Sequence, residues 1–436
     1  MPSRCVVILL DGLGDRSFPE LGHMTPLQAA ATPNLDGLAA VGANGLFHAG
    51  KLGMAFSSQD AHFSLFGYDW QEMPRRGILE AAGAGLKVGK DDVAALARLV
   101  TATEDRGKLM IVNRMPAATR EEMAVLMAEV SSFTSREVQF HFTQVNQLEG
   151  ILLIRGNVSP LVTDMDPMFD GLPAAEVKPL QCVADNPAAR LTALSLKDYL
   201  VWVYKTLNEH PVNKARAERG QPPLNAFVTH LADKPKLFPR FSKRWGLKGL
   251  FISSKLVQWG VATVLGMDAL KVKSSGNAGL DLMERIKIAA DSLKTYDFIH
   301  VHTMAPDEAA HTKKPEAKMR VIEALDRAIG EAIQPILNNP DVLLAVTADH
   351  STPSSGPLIH SGEAVPLTML GAGVRRDKVQ HFNEIDCSQG SLGLMRGIEF
   401  MYTVLNYLDR SSLVRIRHSP EDKFVSAGEY EPFLLS

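Results

Sequence analysis

The sequence predicts an α/β fold: a doubly wound, mostly parallel sheet with helices on both faces, plus an inserted α+β cap domain. Three observations carry this expectation. Aliphatic runs alternate with helical patterns towards both ends of the chain, as in a parallel sheet covered by helices. Asp11, Asp307 and Asp349 sit at or just past the ends of such runs, on the edge where sheets of this kind bind ligands. The middle of the chain loses the alternation and carries short strand-like pieces between frequent turn signals.

The run Cys5–Leu10 reads as a buried strand that stops at Asp11 and a glycine turn. Thr32 is the expected N-cap of the next helix, with Pro33 in its first turn and Leu35, Leu38 and Ala39 opening its apolar stripe. Further strands are expected at 298–302, 342–347 and 365–370, and near 249–253 and 269–272. A long helix is expected over 315–337, because Ile322, Leu325, Ile329, Ile333 and Ile336 recur at three- and four-residue steps. From about Arg76 to Ala188, pieces at 109–112 and 150–154 flank a helical stretch at 120–131. The expected division is therefore a core of residues 1–75 and 189–436, and a cap of residues 76–188, the core resuming with a helix over 186–208.

The 436 residues are 45% apolar with a formal charge of −3, so a sizeable core is available. The interspersed charges give no nucleic-acid footprint and no polybasic patch for a membrane. No run is long enough to span a bilayer. The three cysteines, Cys5, Cys182 and Cys387, form no CxxC pair. The opening lacks the long apolar stretch and small-residue cleavage site of a secretory signal. A reducing cytoplasm is the expected setting.

Two clusters carry chemistry. Asp11, Asp307, His311, Asp349, His350 and His360 offer carboxylate and imidazole ligands suited to Mn²⁺, Zn²⁺ or Mg²⁺. Taken singly, each also suits a turn, a cap or a surface pair; their joint placement at one sheet edge is what points to a metal. In Phe56-Ser57-Ser58-Gln59-Asp60-Ala61-His62, a serine beside bound cations can lose its proton at neutral pH and act as a nucleophile. A serine in such a polar run also suits a cap.

The chain resembles the archaeal-type cofactor-independent phosphoglycerate mutases of the alkaline phosphatase superfamily. The likeness rests on Asp11-Gly-Leu-Gly-Asp15, Thr25-Pro-Leu, Thr32-Pro-Asn-Leu-Asp36, Ala61-His62, Leu65-Phe-Gly-Tyr-Asp69, Arg76-Gly77 and Glu80-Ala-Ala-Gly-Ala-Gly85. It continues through His210-Pro-Val-Asn213, Asp307-Glu-Ala-Ala-His311, Asp349-His350, Thr352-Pro353, His360-Ser361, Val365-Pro366 and Arg396-Gly397. It implies an alkaline-phosphatase-like core with an inserted cap and two divalent ions, manganese being the expected species and zinc or magnesium the alternatives. By position, Asp11, Ser58, Asp349 and His350 would hold the metal that activates the serine, and Asp307, His311 and His360 the other. Ser58 would take the phosphoryl group and return it at the other hydroxyl, interconverting 3- and 2-phosphoglycerate. His62, Arg76, Arg216 and Arg396 would stand near this small phosphorylated substrate.

The chain departs from the family pattern. Gly-Ser-Asp-Thr-Ala-His becomes Ser57-Ser58-Gln59-Asp60-Ala61-His62, which keeps Ser57 as a second candidate. Val-His-Val-Lys becomes Val301-His302-Thr303-Met304. The Arg and Asn expected after Asp92-Val-Ala are replaced by Leu96 and Arg98, Asp-Pro-His by Asp166-Pro167-Met168, and Arg-Gly by Thr229-His230-Leu231. The losses fall on positions expected to face substrate. Alternatives are a phosphohydrolase or phosphotransferase for another small phosphate ester, such as a homoserine-kinase-like relative, and a catalytically silent homologue.

Overall fold

The computed structural model of the chain describes residues 1–411, 420 and 431–435. Contacts divide the chain into two compact units, Met1–Met73 with Phe238–Ser436, and Pro74–Leu237.

The first unit is built on eight strands: β1 (Arg4–Leu10), β2 (Ala43–His48), β3 (Gly249–Ser253), β4 (Asp268–Lys271), β5 (Phe298–Thr303), β6 (Val342–Thr347), β7 (Val365–Leu370) and β8 (Gly393–Arg396). Their order in the sheet is β4-β3-β5-β1-β6-β7-β2-β8. All are mutually parallel except β7, which runs against β6 and β2. β1 is central and fully buried from Cys5 to Leu10, as its unbroken aliphatic run requires. The reversal of β7 matters for the site. Its first residue lies at the carboxyl edge of the parallel strands, so the segment leading into it, with His360, reaches that edge too.

The helices that place the site are α1 (Pro33–Val41), α2 (Ser58–Leu65), α3 (Ala278–Ser292), α4 (Ala305–His311) and α5 (Pro315–Ala332). Thr32 occupies the N-cap position of α1, but its side chain makes no cap bond. The carboxylate of Asp326, on α5, accepts instead from the amides of Asn34 (3.1 Å) and Leu35 (2.8 Å). The cap is a tertiary one, invisible to local pattern. α5 also stops short of the expected Leu337: Pro335 cannot donate to the helix, and Gln334–Leu337 forms a separate short turn. No helix among the described residues is long and apolar enough to cross a membrane.

In the second unit, strand Val93–Asp105 is the hub of an antiparallel sheet and pairs with Lys108–Asn113, Glu149–Arg155 and Ala226–Asp233. The last pairing corrects the expected boundary at 188/189. Helix Pro187–Glu209 buries Leu196, Tyr199, Val203 and Leu207 in one cluster with Leu126, Phe140, Leu152 and Phe227. Residues 189–237 therefore belong with the inserted unit. The chain re-enters the core at Phe238.

A buried ion pair makes this unit acid-sensitive. Burial pushes the Asp166 carboxyl up, but bonds from the Arg114 guanidinium (2.9 and 2.6 Å) and the Met168 amide outweigh it, leaving the pKa below the usual carboxylate value. A depressed folded pKa stabilises above the unfolded value of about 3.9, and that contribution is lost as pH falls through the folded value. In Arg114→Met, urea midpoints are expected to fall at pH 7 and to converge with wild type as the pH falls through the depressed folded pKa of Asp166. Equal midpoints at pH 7 would show that the pair contributes nothing.

Candidate metal centre

Four chain segments converge at the carboxyl edge of the sheet. Asp11 follows β1 and Asp349 follows β6. Asp307 and His311 lie one turn apart on α4, a spacing that puts both on one helix face. Ser58 opens α2. One ligand atom from each of Asp11, Asp349 and His350 lies within 4.8 Å of the others, and the same holds for Asp307, His350 and His360. His350 is shared between the two groups, and its ring stacks on that of His360 at 3.9 Å between centroids. His311 Nε2 lies 3.3 Å from Asp307 Oδ2, on the outer side, with 38% of its side chain exposed.

The tight approach of these segments demands a glycine. Gly12 has φ +67°, and its amide donates to Asp349 Oδ1 at 3.1 Å. A Cβ there would stand 2.7 Å from both Asp307 Cβ and Thr352 Oγ1. Gly12→Ala is expected to leave the chain folded but to lower bound metal, read by elemental analysis after gel filtration. Full metal content in that variant would contradict the steric argument.

Ser57 and Ser58 have separate roles in the structure. Ser57 is the N-cap of α2: its Oγ accepts from the Asp60 amide and donates to the Asp60 carboxylate. Ser58 Oγ donates to Asp11 Oδ1 at 3.3 Å and lies 3.1 Å from His350 Nε2.

Hydrogen bonds behind the ligands set their tautomers. A carbonyl can only accept, so His360 Nδ1–H donates to Phe56 O (2.6 Å), which leaves its Nε2 lone pair facing inward. Thr352 Oγ1–H donates to Asp307 Oδ1 at 2.7 Å, so at 3.1 Å the same oxygen accepts from His350 Nδ1–H. His302 Nε2–H donates to Asp11 Oδ2 at 2.8 Å, and its Nδ1 accepts from Ser253 Oγ at 3.1 Å. Sequence reading missed both Thr352 and His302 as partners of the ligands. The Thr-Pro after Asp-His, and the two histidines His300 and His302 in the strand run 298–302, were the available signals.

The electrostatics call for a cation. Burial, Asp349 and Asp307 together push the Asp11 carboxyl well up, and burial does the same to Asp349. Burial pulls His350 down to about 3, so its imidazole is neutral and free to ligate. Asp349 Oδ2 is buried without a hydrogen-bond donor. Buried carboxylate oxygen without a partner is expensive, and a divalent ion satisfies it. The set of carboxylates and imidazoles fits such an ion.

The four expected substrate residues have the following surroundings. His62 is fully buried beneath Ser58. Its Nδ1–H donates to Ser58 O at 2.6 Å, and its ring packs against Phe251, His300 and His302, so it supports the serine backbone and does not face substrate. Arg216 is buried in the inserted unit, where each guanidinium nitrogen has a partner: Nε donates to Pro222 O, Nη1 to Glu122 and Nη2 to Ala117 O. Arg396 lines a cavity that includes none of the expected metal ligands. Arg76 opens helix Arg76–Gly83 and pairs with Glu80 at 2.6 Å, its side chain 43% exposed.

The profile of the Metalloenzyme superfamily matches residues 3–407. The 2,3-bisphosphoglycerate-independent phosphoglycerate mutase 2 of Methanocaldococcus jannaschii is 38% identical over 421 residues, covering 95% of each chain. The corresponding mutase of Thermococcus kodakarensis is 34% identical over 411 residues, covering 93% of this chain and 97% of its own. Among solved structures, the PH0037 protein from Pyrococcus horikoshii matches with a TM-score of 0.78 at 29% identity, covering 95% of this chain and all (100%) of that one. The cofactor-independent phosphoglycerate mutase from Thermoplasma acidophilum matches with a TM-score of 0.67 at 29% identity, covering 93% and 100%. With its candidate ligand residues gathered at one sheet edge and its relatives matched along nearly their whole length, the chain belongs to the Metalloenzyme superfamily and, within it, to the 2,3-bisphosphoglycerate-independent phosphoglycerate mutases.

Proposed function

We propose that the chain interconverts 3-phosphoglycerate and 2-phosphoglycerate by way of a phosphoserine at Ser58. The observation that carries this reading is the position of Ser58 Oγ, within 3.1–3.3 Å of His350 Nε2 and Asp11 Oδ1, in a chain whose relatives bear that name. Ser58 Oγ forms a bond to phosphorus as the ester bond to glycerate breaks. The second hydroxyl of the glycerate then takes the phosphoryl group, and Ser58 leaves. Asp11 Oδ1 accepts the Ser58 hydrogen bond, and His302 fixes that carboxylate from behind. The first amides of α2 have no intrahelical partner and favour an anion on Ser58. Divalent ions, when bound, supply the positive charge that favours the serine alkoxide and screens the phosphate. Two ions are proposed, Asp11, Ser58, Asp349 and His350 holding one and Asp307, His311 and His360 the other, with manganese suiting this oxygen- and imidazole-based set. Arg76 remains the candidate for the substrate carboxylate. A cytoplasmic setting accords with the free thiols of Cys5, Cys182 and Cys387.

The test is direct. Protein loaded with Mn²⁺ and given 3-phosphoglycerate is expected to form 2-phosphoglycerate, followed by enolase-coupled absorbance; EDTA should abolish the signal and Mn²⁺ restore it. Phosphate release from an aryl phosphate, without mutase turnover, would replace this reading with the phosphohydrolase.

A further inference from the structure

A cavity of about 540 Å³ opens in the first unit, away from the metal ligands. Lys51, Arg244 and Arg396 line it, and no carboxylate pairs with any of the three among the described residues. The one acidic residue among the described lining residues, Asp69, is occupied as the N-cap of a short turn, accepting from the Gln71 amide at 3.0 Å. Among the described residues, three cations around one engaged carboxylate leave a net positive potential. A cavity of this size lies in the range that holds a metabolite.

Two of the cations, Arg244 and Arg396, stand on packed or hydrogen-bonded supports. The Arg244 guanidinium lies over the Tyr68 ring at 4.7 Å and the Trp245 ring at 5.1 Å, and its Nε is buried without a hydrogen-bond partner. Arg396 ends β8, its amide bonded to Glu399 Oε2, and the next amide, of Gly397, donates to His48 O. Two glycines of the wall admit no side chain. A Cβ at Gly67 would stand 2.3 Å from the Trp245 ring, and one at Gly397 2.7 Å from Ser64 Oγ. Backbone is thereby left close to whatever fills the space. The lining also carries aromatic surface, Tyr68 and Trp70, the latter packed edge-on against Phe56 at 5.1 Å.

We propose that this cavity is a second anion site, which takes a phosphate-bearing ligand with a flat apolar portion, the chemistry of a nucleoside diphosphate. Lys51, Arg244 and Arg396 receive the phosphate oxygens through charge-assisted bonds, and the flat portion lies against Tyr68 and Trp70. The site is independent of the reaction at Ser58, although Phe56 connects the two: its ring supports Trp70, and its carbonyl receives the His360 Nδ1–H.

The test is calorimetric titration of ADP, and of pyrophosphate, into the manganese-loaded protein. Wild type is expected to bind ADP more tightly than pyrophosphate. The double variant Lys51→Met/Arg396→Met, altered at two exposed side chains, is expected to bind ADP about tenfold more weakly or worse while keeping its metal and its turnover. Asp349→Asn, altered at the metal centre, should leave ADP affinity within about twofold. ADP binding that disappears in Asp349→Asn and survives in the double variant would place the phosphates at the metal ions and overturn the proposal. So would wild type that binds no ADP at millimolar concentration. Equal affinity for pyrophosphate would remove the flat portion from the ligand's description.

Discussion

Ser58→Ala is expected to reduce turnover of 3-phosphoglycerate by about 10⁴-fold or more, the scale on which removal of a nucleophile acts. The adjacent hydroxyl, of Ser57, does not take its place. Ser57 is committed to the Asp60 amide and carboxylate as the cap of α2, whereas Ser58 Oγ lies between Asp11 and His350. The neighbouring change separates the two roles: Ser57→Ala should cost about 0.5–2 kcal/mol of stability as a lost cap while most turnover survives. Intact-protein mass after a brief exposure to substrate provides a second readout, because wild type should carry one phosphoryl group and Ser58→Ala none. Turnover in Ser58→Ala within about tenfold of wild type would remove this serine from the reaction.

Lys318→Met is expected to destabilise the chain by about 3–5 kcal/mol, the cost of leaving one partner of a buried ion pair alone. Lys318 is completely buried on α5, and its Nζ donates to Gly14 O (2.8 Å), Thr352 O (2.9 Å) and Asp15 Oδ2 (3.1 Å). Burial pulls its pKa down, and the Asp15 carboxylate works against that shift. The three bonds fill the donors of an ammonium and tie the loop after Asp11 to the loop after His350. Asp15 in turn accepts from the amide and hydroxyl of Ser354. Removing the lysine takes one donor from Asp15, Gly14 O and Thr352 O and leaves the buried Asp15 charge without its counter-ion, although the Ser354 and Thr352 amides still donate to Asp15 and Gly14 O. Urea denaturation measures the loss. The double variant Lys318→Met/Asp15→Asn should recover part of it, since the charge left behind is then gone. A single variant as stable as wild type would mean that water fills the position of the ammonium.

The strands of the core were legible because each carries its burial in its own sequence. The runs 342–347, 365–370 and 249–253 match the observed strands residue for residue. The gathering of Asp11, Asp307 and Asp349 at one edge was legible for a related reason: parallel strands all deliver their carboxyl ends there. The second boundary of the inserted unit was not legible. Helix Pro187–Glu209 is amphipathic whichever sheet it covers, and only the pairing of Ala226–Asp233 with Val93–Asp105 assigns it to the inserted unit. Lys318 was invisible as well, since a lysine on an amphipathic helix ordinarily reads as solvent-facing.

Periodicity and strand-end chemistry, both local, were enough to determine the class of fold, the edge of the sheet that carries the site and the residue types able to ligate a metal there. What the tertiary structure decided depends on groups far apart in the chain. Asp326 caps α1, Thr352 joins His350 to Asp307, His302 braces Asp11, and the reversed strand β7 brings His360 to the shared edge. A hydrogen bond acts over about 3 Å whatever the sequence separation, so its partners are set by how segments pack, and no local pattern records them.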